Sequence, residues 1–383
     1  NLPTHAYASM VYKYPQAAFP YADLVDANRS RGPEQPEYEL FDALEGDWRA
    51  NRYFDVVVEY AKASPEDVLC RITATNRCPD AAPIHVLPHL WYRNTWSWEE
   101  GASAPRITRE RDGVARTTHP ALGDRWLYVS ASGGSEPDLL FCENETNARR
   151  LFSSPNTSDH AKDGIGDFVV DGDSSAVDRT AGSKAAAHVQ TVLGPGESLV
   201  VTVRFAPADL RLPFDDADAV LAARKEEADE FYAALARPEL DDDQRLVQRQ
   251  ALAGLLWCKQ YYHYEVRRWL QGDPTQPTPP ASRWKGRNSD WQHLVSDDII
   301  LMPDAWEYPW YAAWDLAFHC VTMAMVDPDF AKDQVLLLLS SVYQHPHGQI
   351  PAYEWSFGDT NPPLHAWAAW QVYQLDRRAT GTG

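Results

Sequence analysis

Between residues 53 and 207 the apolar positions come in short runs that alternate with polar ones, the period of a half-buried strand. Tyr53-Phe54-Asp55-Val56-Val57-Val58-Glu59-Tyr60 is β-branched and aromatic, and residues 68–75 alternate with period two. Residues 84–91, 125–130, 139–142, 186–193 and 199–205 continue the pattern, with turns marked by Gly133-Gly134 and Gly194-Pro195-Gly196. The texture changes near Pro207. An Ala- and Glu-rich helix is predicted over 217–235, behind the capping-type residues Asp215 and Asp216. A second is predicted over 241–257, with Leu246, Gln250, Ala253 and Trp257 on one stripe. The polar, Pro-rich stretch 272–280 interrupts the helices, which resume over 310–326, 330–343 and 363–378. The expected fold class is therefore α+β with two domains. An N-terminal antiparallel β-sandwich takes residues 1–210, a helical linker 211–240 and a helical domain 241–383.

Candidate chemistry concentrates in two places. In Trp306-Glu307-Tyr308-Pro309-Trp310-Tyr311-Ala312-Ala313-Trp314-Asp315, Pro309 suits the first turn of a helix. Trp310 and Trp314 then share one face, while Tyr311, Asp315 and His319 form a second line. Rings beside a carboxylate suit a sugar, whose apolar face stacks on indole while its hydroxyls donate to carboxylate oxygens. The plainer alternative is a core helix with one satisfied acid. The second place is the loop holding His345, His347, Gln349, Glu354, Trp355 and Asp359. Glu354 and Asp359 have the chemistry of a glycosidase pair, although spacing alone does not set them face to face. His345 and His347 lack a third ligand at a recognisable spacing, so neither a metal nor a cofactor is predicted. Three Trp within residues 91–98 offer either a sugar-stacking edge or a packing surface.

Composition sharpens this picture. The chain of 383 residues holds 15 Trp, 18 Tyr and 12 Phe, which favours a flat ligand such as a carbohydrate. A formal net charge of −20 disfavours nucleic acid, which needs clustered Lys and Arg. No apolar run approaches the roughly eighteen residues of a membrane span. Five cysteines without a CxxC pair point to a reducing compartment, hence a cytoplasmic location. Nucleophile-elbow and phosphate-loop patterns are absent from the sequence.

Several stretches together resemble glycoside hydrolase family 63, in particular its large bacterial glucosidases. They are Tyr12-Lys13-Tyr14-Pro15-Gln16-Ala17-Ala18-Phe19-Pro20-Tyr21, Arg52-Tyr53-Phe54-Asp55, Glu59-Tyr60-Ala61-Lys62-Ala63, and residues 90–98, 307–319 and 349–367. The resemblance implies a β-sandwich followed by an (α/α)6 barrel, of which this chain carries the first part. It also implies hydrolysis of α-glucosidic bonds with inversion. Asp315 then looks like a substrate-holding carboxylate, and Trp310, Tyr311, Trp314, Gln349, Glu354, Trp355 and Asp359 are the other expected substrate-binding residues. The family's general acid lies in a later Gly-Leu-Asp-Asn-type segment and its general base beyond that. Neither motif occurs here, so both are expected past Gly383, in a longer chain, and this stretch alone is expected to be inactive. A glycoside phosphorylase and a non-catalytic carbohydrate-binding module are the alternative readings.

Overall fold

The computed structural model describes residues 2–274, 276–286, 289–353, 358 and 361–381. The chain divides into two compact units. Pro3–Asn94 and Ser103–Ala228 form the first, and Thr95–Ala102 with Asp229–Gly383 the second.

In the first unit, β1 (Tyr7–Pro15), β2 (Tyr53–Ser64), β3 (Asp67–Asn76), β4 (Ala82–Val86), β5 (His89–Trp91), β6 (Arg106–Arg111) and β7 (Val114–His119) are followed by β8 (Gly123–Ala131), β9 (Asp138–Cys142), β10 (Ala181–Gly182), β11 (Lys184–Leu193) and β12 (Ser198–Ala206). Eight of them form one antiparallel sheet in the order β1-β2-β3-β12-β8-β7-β6-β10. In the other sheet β11 pairs with β9 along one edge and with β4 and β5 along the other. Phe54, Ile107, Leu127 and Val201 from the large sheet meet Ile84, Phe141, Ala187 and Val189 from the small one in a single core. This is an antiparallel sandwich. Ala185, Ala186 and Ala187 are all fully buried. Ala185 and Ala187 face the sandwich core, while Ala186 packs with Ile165 and Val177 on the opposite face. A strand covered on both faces reads as a continuous apolar run rather than an alternation.

Three features differ from the sequence expectation. Residues 84–91 are two strands, β4 and β5, separated by Leu87-Pro88, because Pro lacks the ladder N–H. Asp216 stands at the head of the Ala217–Leu235 helix, where its carbonyl accepts the Val220 N–H at 2.9 Å, but its carboxylate, expected as a cap, accepts from Arg204 Nη1 at 2.6 Å. Strands β1, β6 and β7 were not expected. Their exposed faces carry Tyr, Arg and Thr, which hides the period-two signal.

Close packing makes a first prediction. A Cβ on Gly182 would run into the backbone carbonyl of Cys142, whereas one on Gly46 would meet open space. Gly182→Ala is expected to cost about 1–3 kcal/mol of stability by urea denaturation, and Gly46→Ala close to nothing.

The second unit is built on the helix Asp242–Trp257, strands β13 (Lys259–Glu265) and β14 (Val295–Leu301), and the helices Ala313–Met323, Pro328–Leu337 and Leu364–Thr380. Asp241 caps the first helix in a reciprocal box with Gln244. Its buried residue is Leu252 at 4 % exposure, while Leu246, on the predicted stripe, is 52 % exposed. The core gathers Trp291, Ile300, Leu316, Cys320, Met323, Leu338 and Tyr343. The three later helices pack on one another, with Asp327 capping the second of them. That helix ends at Leu337, and a separate 3-10 turn covers Ser341–Tyr343, where one continuous helix was expected. All five cysteines are free. Among the described residues no helix is long and apolar enough to cross a membrane.

Candidate functional site

The aromatic stretch before Asp315 does not open a helix at Pro309. Asp304 accepts the backbone N–H groups of Trp306 and Glu307, both at 2.6 Å, and folds them into a turn. Ala312 bridges to Tyr353, and the Ala313 N–H donates to the Ala352 carbonyl at 3.1 Å. The backbone groups of this stretch are thus used in a turn and a bridge, and the helix starts only at Ala313. Trp310 and Tyr311 precede it, so of the two predicted helical lines only the Asp315–His319 step lies on the helix. Tyr311 is 1 % exposed, with its ring 5.7 Å from that of Tyr343 in the core. Trp310 is half-buried against the edge of Tyr308, with ring centroids 5.1 Å apart.

Trp314 and Asp315 do lie in the first turn of this helix. Trp314 remains 37 % exposed. Asp315 is half-buried, and burial raises its pKa above that of an exposed aspartate despite its position at a helix N-terminus. One turn later, burial pushes the His319 pKa down and keeps the ring neutral.

Trp314 lines a cleft of about 310 Å³ together with Ala313, Gly348, Ile350, Asn361 and His365. Asn361 Nδ2 donates to the carbonyls of Ile350 (3.0 Å) and Pro351 (3.2 Å), which ties the entry of the last helix to the loop after Gly348. Gln349 is exposed between the lining residues Gly348 and Ile350, and its carbonyl accepts the His345 N–H at 2.8 Å. Glu354, Trp355 and Asp359 lie outside the described residues. Asn361 and His365 did not stand out in the sequence. The available signal was Asn361-Pro362-Pro363 at a helix entrance, with His365 just inside it.

The other candidates have structural surroundings. His345 is buried, edge-on to Trp291 and 4.7 Å ring to ring from His347. Among the described residues no group of three or more His, Cys, Asp or Glu could hold a metal. Trp98 stacks on His263 at 4.5 Å, with the Arg268 guanidinium 5.7 Å from its ring, so it packs within the second unit. Trp91 is exposed on β5.

Residues 308–382 match the family model described as the mannosylglycerate hydrolase MGH1-like glycoside hydrolase domain. The cleft lies entirely within that segment, which is glycoside hydrolase-like. Over 98 % of its length the chain is 39 % identical to the uncharacterized protein YMR196W of Saccharomyces cerevisiae, and it spans 39 % of that protein's length. Among solved structures, a polysaccharide lyase overlaps 86 % of this chain and 53 % of its own, at 8 % identity and a TM-score of 0.26. The family GH92 α-mannosidase of Bacteroides thetaiotaomicron overlaps 86 % of this chain and 42 % of its own, at 10 % identity and a TM-score of 0.23. Scores this low bear on neither fold nor function.

Proposed function

We propose that the protein is a carbohydrate-active enzyme that hydrolyses O-glycosidic bonds, specifically an inverting α-glucosidase, and that the Trp314 cleft receives the sugar. One observation carries this reading: the glycoside hydrolase match and the cleft coincide, with an accessible indole and a half-buried carboxylate adjacent at one helix N-terminus. Trp314 walls the sugar, Asp315 accepts its hydroxyls, and Trp310 and Tyr311 support the turn that presents them. Gln349, Glu354, Trp355 and Asp359 belong to the rim in this proposal. The general acid and base are assigned to no residue of this chain. The proposed domain plan is a sandwich over 1–210, a linker over 211–240 and the first part of an (α/α)6 barrel over 241–383.

Inversion needs roughly 6.5–9.5 Å between the acid and base carboxyls, to admit the attacking water. Proton NMR of the intact protein acting on an α-glucoside is expected to show β-glucose as the first product. Release of α-glucose first would overturn the inverting assignment. Turnover that requires phosphate and yields glucose 1-phosphate would make the enzyme a phosphorylase.

A further inference from the structure

We propose that a second cleft, of about 210 Å³, binds a small oxyanion, a phosphate or a carboxylate, through Arg245 and Arg249. It lies between the end of the Ala217–Leu235 helix and the start of the Asp242–Trp257 helix, within the second unit. It shares no lining residue with the Trp314 cleft and stands independently of the glycosidase reading. In a chain with 55 acidic and 35 basic residues, its described lining carries two arginines and a single acid, Asp229. The arginines sit one turn apart on one helix, where like charges repel. Asp229, which accepts from Arg249 Nη1 across the two helices, offsets only one of them.

Both guanidinium groups are held in place and still have donors to spare. Arg249 lies over the Tyr232 ring, 5.0 Å from its centroid, and its Nε and Nη2 make no hydrogen bond among the described residues. Arg245 is tied to the turn between the helices, with Nε donating to the Leu240 carbonyl at 2.9 Å and Nη2 to the Pro238 carbonyl at 3.3 Å, which leaves Nη1 over. The Gln248 amide and the Tyr232 hydroxyl stand in the same wall, and burial raises the Tyr232 pKa against the pull of Arg249, so the phenol keeps its proton as a donor. None of these atoms is shielded from solvent. The wall is thus rich in accessible donors, and its carboxylate is already engaged. An acceptor-only ligand complements that set, since a guanidinium fork meets an oxyanion with charge-assisted bonds. Ala233, Ala236 and Leu246 add apolar surface for a short body behind the charged head. The cleft is smaller than the roughly 300–1,000 Å³ of drug-sized pockets, which limits the ligand to a few heavy atoms.

Calorimetric titration of the intact protein at low ionic strength, with inorganic phosphate and with butyrate, tests the proposal. At least one of the two is expected to bind and to raise the melting temperature, and the tighter one tells a phosphate head from a carboxylate. Butyramide, the uncharged counterpart of butyrate, is expected not to bind. Arg245→Gln is expected to weaken the anion about tenfold or more, through loss of a charge-assisted hydrogen bond. Tyr232→Phe keeps the ring under Arg249 and removes only the hydroxyl. It is expected to weaken the anion severalfold and to leave the melting temperature of the ligand-free protein unchanged. Trp314→Ala is expected to leave anion affinity as it is. Binding of neither anion, or equal binding of butyramide, would overturn the proposal. An affinity lost in Trp314→Ala but kept in Arg245→Gln would also overturn it, by placing the anion in the Trp314 cleft. If Arg245→Gln does not fold, Tyr232→Phe and Gln248→Leu decide: weakened binding in either upholds the site, and full affinity in both overturns it.

Discussion

Asp315→Asn in the intact protein is expected to lower glycoside turnover by roughly 100-fold or more, since hydrogen bonds to a charged acceptor are among the stronger ones. The same variant is expected to melt at a higher temperature than the wild type. Burial raises the folded-state pKa of Asp315 above that of an exposed aspartate, so folding penalises the charged form. A raised carboxylate contributes stability below its unfolded pKa, and that contribution is lost as pH rises through the folded pKa. At neutral pH the buried charge is therefore a cost, and the uncharged Asn removes it. Such a trade of stability for binding marks a functional carboxylate. Because hydroxyl binding needs the ionised form, the acid limb of 1/KM is expected at a higher pH than an exposed aspartate would give. Loss of turnover together with a lower melting temperature would instead make Asp315 a structural acid. Unchanged turnover would remove it from the sugar site.

The largest stability effect is expected at Arg204 in β12, whose side chain is 6 % exposed. Its guanidinium makes a bidentate pair with Asp67, at 2.8 and 2.7 Å, and also donates to Asp216 (2.6 Å) and the Pro213 carbonyl (2.8 Å). These bonds fasten the segment after the sandwich to the sheet. Arg204→Met strands the largely buried Asp67 carboxylate, and is expected to cost about 3–5 kcal/mol by urea denaturation. Adding Asp67→Leu is expected to recover much of that loss, because the stranded charge is then gone. A cost below about 1 kcal/mol for the single variant would put the cluster in the class of solvated surface pairs.

Legibility in the sequence followed burial. Strands β2, β3 and β12 were readable because β-branched residues on their inner faces enter one core. Strands β6 and β7 were not, because charges on their outer faces are satisfied across the sheet, as in the 2.7 Å pair of Arg116 with Asp124. Strands β13 and β14 lay hidden in a stretch of helical texture. Their pairing, such as Lys259 with Leu301, spans a long excursion and leaves no local signature. At the site, Trp314 and Asp315 were legible as neighbours on a helix, but the start of that helix was misplaced by three residues. Nothing local announces that Ala312 will bridge to Tyr353.

By itself the sequence determined the change of texture near Pro207, the helix over 217–235 and the adjacency of an indole and a carboxylate at positions 314 and 315. Each depends on propensity or spacing within a few residues, which the chain carries locally. Only the tertiary structure decided that Tyr311 is core and not pocket, and that Asn361 and His365 stand beside Trp314. The reason is physical: the cleft wall exists only where the Ala313–Met323 and Leu364–Thr380 helices pack together. Whether a polar atom is left without a partner depends on neighbours far away in the chain, which no local pattern encodes.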